Sequence, residues 1–449
     1  MRIFRFAKVV ATFLVGVMLI QLLHACGARP QATETARVTI ATVNNGDMVV
    51  MQGLSRQFEA DNPDIELQWV MLEENILRQR TTTDVASQGG QFDVLTIGAY
   101  ETPIWAKRGW LKPLDRLPAE YDVDDLIDPI RQGLSQDGTL YALPFYGESS
   151  MLYYRRDLFE QAGIKVPENP TYAQVESWAS QVNDPENEVY GMCLRGKPGW
   201  GENMAFLTTL VNTFGGQWFD MDWQPQLNTP EWKNAVNFYV DVLNNYGPPG
   251  ASSNGFNENL ALFSTGKCGM WIDATVAAGL LSNPDLSQVA DKVGFARAPV
   301  ESYPNGSNWL WSWALAIPET SRSPEAAQRF ITWATSKAYI QLVADESGWV
   351  SVPPGTRTST YENPNYQEVA PFAKTVLSSI ESADIESPAA SPTPYKGVQY
   401  VDIPEFQAIG TQVGQRMAAA LADKVSVDQA LARSQAVAER FMRHTGYID

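Results

Sequence analysis

The side chains able to do chemistry in this 449-residue chain are unevenly supplied. There are two histidines, and three cysteines with no CxxC pair. A His/Cys zinc site therefore has almost no donors, and imidazole-based acid/base or nucleophilic catalysis almost no base. Carboxylates abound: 51 Asp+Glu against 33 Lys+Arg give a formal charge of −18. No surplus of cations is left to displace phosphate counterions, which argues against nucleic acid as a partner. Aromatic rings are the other excess, with 14 Trp, 17 Tyr and 18 Phe. Flat apolar faces beside polar edges suit stacking on small polar ligands, although the same rings also build cores. Neither a metal nor a cofactor is expected.

Elements of alternating type must position these groups. Val38–Val43 is a β-branched run ending in Asn44-Asn45-Gly46-Asp47, a strand followed by turn residues. Val50, Leu54 and Phe58 then recur at helical spacing within Met48–Asn62. Ile65–Leu72 reads as a strand, Asn75–Ser87 as a helix and Phe92–Gly98 as a buried strand. Strand–helix–strand–helix–strand implies an α/β unit with a mainly parallel sheet. Ligands of such sheets sit beyond the carboxyl ends of the strands. Topology alone thus puts Asn44-Asn45, Glu73-Glu74 and Tyr100-Glu101 along one rim.

A second α/β unit is expected from strands at Leu140–Pro144, Ser149–Tyr154, Tyr190–Leu194 and Gly269–Asp273, with helices at Tyr172–Val182 and Glu231–Asn245. Ser307–Ile317 reads as another extended run, Ser323–Ser336 and Ser426–His444 as helices, and Pro-rich Ser387–Pro394 as a loop. A chain of this length makes about two to three ordinary domains.

Arg2, Arg5 and Lys8 precede the uncharged run Val9–Leu23, which is short for a membrane span and has the order of an export signal. Leu23-His24-Ala25-Cys26 resembles a bacterial lipoprotein box, in which the cysteine is lipidated and opens the mature chain; His24 departs from the small residue usual there. The plainer alternative is a secretory signal cleaved near Ala25 or Ala28. Residues 1–25 are thus expected to be a signal peptide and 26–37 a polar, flexible tether. The body is expected outside the cytoplasmic membrane, anchored to its outer face.

Longer segments carry a more specific resemblance. TIATVNNGDM with QFEADNPDIEL, GGQFDVLTIGAYETPIWAKRGWLKPLD, FSTGKCGMWIDATVAAGL and LAIPETSRSPEAAQRFITW are similar to the extracytoplasmic sugar-binding proteins of ABC importers, the group that includes the maltodextrin-binding proteins. Together with YALPFYGESSMLYYRRDLFEQAGI they most resemble the polyol (sorbitol/mannitol-type) branch, over essentially Val38–Asp449. The resemblance implies a two-lobed α/β fold of the periplasmic-binding-protein type, crossed by the chain several times, with a ligand cleft closed by hinge motion. Lobe one would be residues 38–145 plus about 315–355, and lobe two residues 146–314 plus about 356–449. It further implies a monomer that captures a polyol or sugar and hands it to the permease subunits of the transporter.

Each candidate contact also has a plainer reading. Asn45 would face the cleft, although Asn-Gly suits a simple turn. Glu74 and Asn75 would face it too, although adjacent carboxylates are commonly solvated and one can cap the next helix. Tyr100 and Glu101 follow Gly98, where the backbone has room to approach a ligand. Arg78 and Arg80 read rather as helix-surface charge. Glu148, in PFYGESSM, matches an acidic ligand contact of the maltodextrin branch and would act as an ionised acceptor for hydroxyls. Lys197 and Trp200, in LRGKPGWGEN, sit in a glycine-rich loop lining the cleft, with Trp200 as the leading stacking residue. Asp273 ends a strand and would point to the rim, with Trp271 as core. Trp309, Trp311 and Trp313 alternate and share one strand face; Trp309 is the expected contact, and at least one of the others core or interlobe packing. Trp349 is a further candidate. The maltodextrin branch carries a stacking Trp early in the helix after an Ile-Pro pair; here Ile403-Pro404 is followed by EFQAIGTQ with Gly410 near that position, which argues against long oligosaccharides. Cys193 and Cys268 can be bridged or reduced.

Two alternatives stand beside this reading: an exported carbohydrate-active enzyme, a glycosidase or lyase with a carboxylate pair across its cleft, and a binder of a different sugar such as a disaccharide.

Overall fold

The computed structural model describes residues 35–449; the signal segment 1–25, Cys26 and most of the 26–37 tether lie outside the described residues. The first sheet has five strands. They are β1 (Ala36–Val43), β2 (Ile65–Leu72), β3 (Val94–Gly98), β4 (Ala142–Glu148) and β8 (Trp311–Ala316), in the order β2-β1-β3-β8-β4. β1 pairs in parallel with β2 and β3, whereas β8 runs antiparallel to both β3 and β4. Four strands therefore share one direction and end at one edge, and β8 starts at that same edge.

Helix starts fix the turns above that edge. Asn45 caps α1 (Gly46–Asp61) by accepting from the Met48 amide at 3.0 Å. Its buried Met48, Met51, Ser55 and Phe58 form a stripe at helical spacing. Glu73 caps α2 (Glu74–Ser87) through the Ile76 amide. The short α3 (Glu101–Lys107) follows β3, and the Glu101 carboxylate accepts from the Gly98 amide at 3.0 Å. Phe330 of the helix Pro324–Ala334 packs edge-on against Phe58 at 5.5 Å.

The second sheet contains β5 (Ser150–Arg155) between β6 (Met270–Ala274) and β7 (Val293–Arg297), all antiparallel. The second unit expected from the sequence thus has three strands, all paired antiparallel. Tyr190–Leu194 forms no strand: its backbone makes only isolated bridges, Tyr190 to Cys268 and Cys193 to Trp271. β7 was not foreseen. The helices Asn203–Thr213, Pro230–Tyr246, Phe406–Leu421 and Val427–His444 pack on one another beside this sheet.

Only Ser149 separates β4 from β5, so the chain passes from one sheet to the other almost without a loop. Ser149 is buried, and it exchanges bonds with Thr275 through its amide to Oγ1 at 3.0 Å and its carbonyl to the Thr275 amide at 2.7 Å. The return passes Ser307, whose carbonyl accepts from Ser150 Oγ at 2.7 Å, before β8 begins. A third link joins the Gly147 amide to the Pro354 carbonyl at 2.9 Å. Cys193 and Cys268 are disulfide-bonded, with Cα atoms 6.0 Å apart.

Candidate functional site

At the shared strand edge lies a cavity of about 210 Å³. Asn44-Asn45 after β1, Glu73-Glu74 after β2 and Glu148 at the end of β4 bound it from the first sheet. β8 enters from the same edge and adds Trp311 and Trp313, with Trp309 just before it. The loop Arg195–Glu202 and the start of helix Phe256–Ser264 close the other side.

The wall carries five carboxylates, Glu73, Glu74, Glu148, Glu202 and Glu258, against three cations, Arg78, Arg195 and Lys197. Arg78, 5% exposed, donates from Nε and Nη2 to Glu74 at 3.0 and 2.9 Å and from Nη1 to buried Glu101. Its guanidinium also lies 4.1, 5.0 and 4.7 Å from the rings of Trp200, Trp311 and Trp313, a geometry that favours cation–π attraction. Burial alone would weaken the Arg78 cation, but Glu101 and Glu74 more than reverse this and hold it charged. Arg195 is engaged by Asp273, with Nη2 to Oδ1 at 2.6 Å and Nε to Oδ2 at 2.9 Å, and Nη1 donates to the Gly201 carbonyl at 2.9 Å.

Two carboxyls have poorer partners. Glu202, 4% exposed, is 3.7 Å from Arg195 and 3.5 Å from Lys197, and both cations are held more closely by other acids. Burial first, then Glu74, pushes it up to about 8 against the pull of those cations. Glu148, 6% exposed, lies on the cavity wall, with Arg195 as the one cation that acts on its carboxyl. Burial raises its carboxyl well above the usual range; Arg195 opposes this, and Asp273, Glu74 and Asp47 add to it. Burial thus favours the protonated form of this carboxyl over the ionised acceptor expected from the sequence, and in that form it can donate one hydrogen bond and accept others.

Of the residues singled out in the sequence, Asn45, Glu74, Glu148, Lys197, Trp200 and Trp309 reach the cavity wall. The others do not. Asn75 instead donates to the Pro198 carbonyl at 3.3 Å, joining α2 to the opposite loop. Tyr100 is buried and donates to the Ile403 carbonyl at 2.9 Å. Glu101 is consumed by Arg78 and the Gly98 amide. Asp273, 1% exposed, is covered by Arg195, Trp271 and its own following amide, so it supports the wall rather than forming the rim. Trp349 starts a short 3₁₀ turn, Trp349–Ser351, away from the cavity.

Several wall residues were not foreseen. Arg78, read as surface charge, is buried; its spacing of four residues from Glu74 was the available signal. Arg195, Glu202 and Gln399 gave no local signal. Tyr146 accepts from Asn45 Nδ2 at 2.9 Å. All three alternating tryptophans line the cavity, not Trp309 alone. Gly98 makes room for Trp311 and not for a ligand: a side chain there would overlap the indole.

Residues 45–341 match the family of bacterial extracellular solute-binding proteins. The mannitol-binding protein of Pseudomonas aeruginosa is 56% identical over 427 residues, covering 95% of this chain and 98% of that protein. A solute-binding protein of an Agrobacterium vitis ABC transporter, solved with bound D-mannitol, superposes with a TM-score of 0.91 at 60% identity, over 92% of this chain and 100% of that one. A second, from Agrobacterium radiobacter in complex with ribitol, gives a TM-score of 0.80 at 26% identity over 91% of this chain and 99% of that one. The two-lobed fold with its interlobe cleft, and a role in binding rather than catalysis, follow from this kinship. The chain belongs to the bacterial extracellular solute-binding proteins.

Proposed function

We propose that this protein captures an open-chain hexitol, D-mannitol above all, in the interlobe cavity and delivers it unchanged to the permease of an ABC importer. The observation carrying this reading is the cavity itself: about 210 Å³, walled by Trp200, Trp309, Trp311 and Trp313 and ringed by carboxyls, amides and cations. A hexitol is nearly all hydroxyl, so each polar edge needs a protein partner once water leaves. Indole faces take the C–H side of such a ligand, and groups such as Glu148, Asn45 and Lys197 take its hydroxyls. The mannitol carried by the similar Agrobacterium vitis protein supports the choice of ligand.

The proposed lobes are residues 38–145 plus about 315–355, and about 146–314 plus about 356–449. Lipidation of Cys26 would tether a monomer to the outer face of the cytoplasmic membrane, within reach of the permease. No helix among the described residues is long and apolar enough to cross a membrane.

A thermal-shift screen of D-mannitol, sorbitol, ribitol, glucose, maltose and trehalose tests the reading. A ligand at 100 times its dissociation constant adds about 2.7 kcal/mol to stability. Mannitol should raise the melting temperature most; a larger shift with maltose or trehalose would favour a disaccharide binder.

A further inference from the structure

Two surfaces of the proposed lobes meet beside the cavity. The loop Arg195–Glu202 lies against the first turn of α2, and two of its glycines mark the contact: a Cβ on Gly199 would overlap the Asn75 side chain, and one on Gly201 the Glu74 carboxylate. Asn75 Nδ2 donates to the Pro198 carbonyl at 3.3 Å. A second contact of the same kind runs from Asn257 Nδ2, in the helix Phe256–Ser264, to the Asn44 carbonyl at 3.0 Å.

Opposite charges join the two sides at one place. Lys197 Nζ lies 2.6 Å from Glu73 Oε1. Among the described residues, no other ion pair of the cavity wall links the two proposed lobes: Arg78 pairs with Glu74 and Glu101 on its own side, and Arg195 with Asp273 and Glu202 on its own. Glu73 is fixed to the start of α2, because its Oε2 accepts from the Ile76 amide at 3.3 Å. Burial works against the Lys197 ammonium, and Glu73, Glu202 and Glu258 together more than reverse this. Hinge opening separates Glu73 from Lys197, and closure restores the pair. Whatever the pair contributes therefore adds to the affinity for a ligand that closes the cleft.

We propose that Glu73 is a positioning residue: paired with Lys197 across the cavity, it latches the lobes together once a ligand closes them and so tightens the hold on an uncharged polyol. This rests on the hexitol reading above and adds the pair that regulates retention at that site.

Calorimetric titration with D-mannitol of the parent, Glu73→Gln, Lys197→Met and the double variant tests it, with melting in the absence of ligand as the folding control. Both partners are partly exposed, so Glu73→Gln should weaken binding by about two- to fivefold. In the Lys197→Met background the same substitution should cost nothing, because its partner is gone. An equal cost in both backgrounds, or none in the parent, overturns the proposal. The loss should be the same for sorbitol, since a latch does not distinguish hexitols; a loss confined to one hexitol overturns it too. If either single variant fails to fold or binds too weakly to titrate, the salt response of the parent against the other variant decides. Raising NaCl from about 20 mM to about 500 mM should weaken mannitol binding by the parent about twofold, although the ligand is uncharged, and leave the variant unchanged. The same response in both overturns the latch. A parent that binds no hexitol refutes the functional reading instead, so the two failures are told apart.

Discussion

Trp311 stands directly opposite Glu148 in the ladder that joins β8 to β4. The pairing sets an indole beside a buried carboxyl at the edge where the parallel strands end, and both line the cavity. An apolar ring and a hydrogen-bonding group are thereby fixed side by side on adjacent strands.

Because burial favours the protonated form of Glu148, glutamine is a close mimic of the bound-state side chain. Glu148→Gln should bind mannitol within about threefold of the parent at neutral pH, while Glu148→Ala loses about tenfold or more. Titration of both variants, with melting in the absence of ligand as the control for folding, checks this. A tenfold loss in Glu148→Gln with unchanged melting would mean that an ionised acceptor is required.

Affinity should also depend on pH although the ligand carries no charge. Burial and Glu74 push Glu202, on the cavity wall, up to about 8; a cleft opening that wets this carboxyl returns it toward the ordinary carboxylate value. The closed form therefore binds more protons than the open one between roughly pH 4.5 and 8. Closure is favoured at the acid end of that window, weakens as pH rises through it and levels off above. Binding should follow this course, and Glu202→Gln should flatten it. An equal slope in parent and variant would place the proton elsewhere.

The disulfide closes a separation of 75 residues between Cys193 and Cys268. In the chain-entropy picture its loss costs about 4 kcal/mol. Denaturant unfolding of the Cys193→Ala/Cys268→Ala double variant should show a drop of that order. Mannitol affinity at low temperature should change little, since neither cysteine lines the cavity.

Anchoring is tested separately from binding. Cys26→Ser should leave melting and mannitol affinity unchanged yet move the protein from the membrane fraction to the soluble one. Continued pelleting with membranes would count against a lipid anchor.

Local pattern reached far in this chain where the period was long and the chemistry local. Ile65–Leu72 and Tyr172–Val182 were expected as strand and helix and have those bounds. Strands that end on one edge made Asn45 and Glu74 foreseeable at the wall, whereas Glu148 was legible only through the family resemblance. What stayed hidden depends on partners distant in the chain. Arg78 is held in the interior by Glu101, and Arg195 by Asp273, 78 residues on, which takes its Nε and Nη2. Tyr100 is drawn off the wall by the Ile403 carbonyl, 303 residues away. Tyr190–Leu194 has strand composition, but its backbone finds only single bridges.

The most direct test is calorimetric titration of the mature chain with D-mannitol, followed by chemical analysis of the recovered ligand. Saturable binding of one mannitol per chain, tighter than for maltose and with the ligand returned unaltered, is the expected result. No saturable binding of any hexitol, or a chemically changed product formed faster than in the protein-free control, would contradict it.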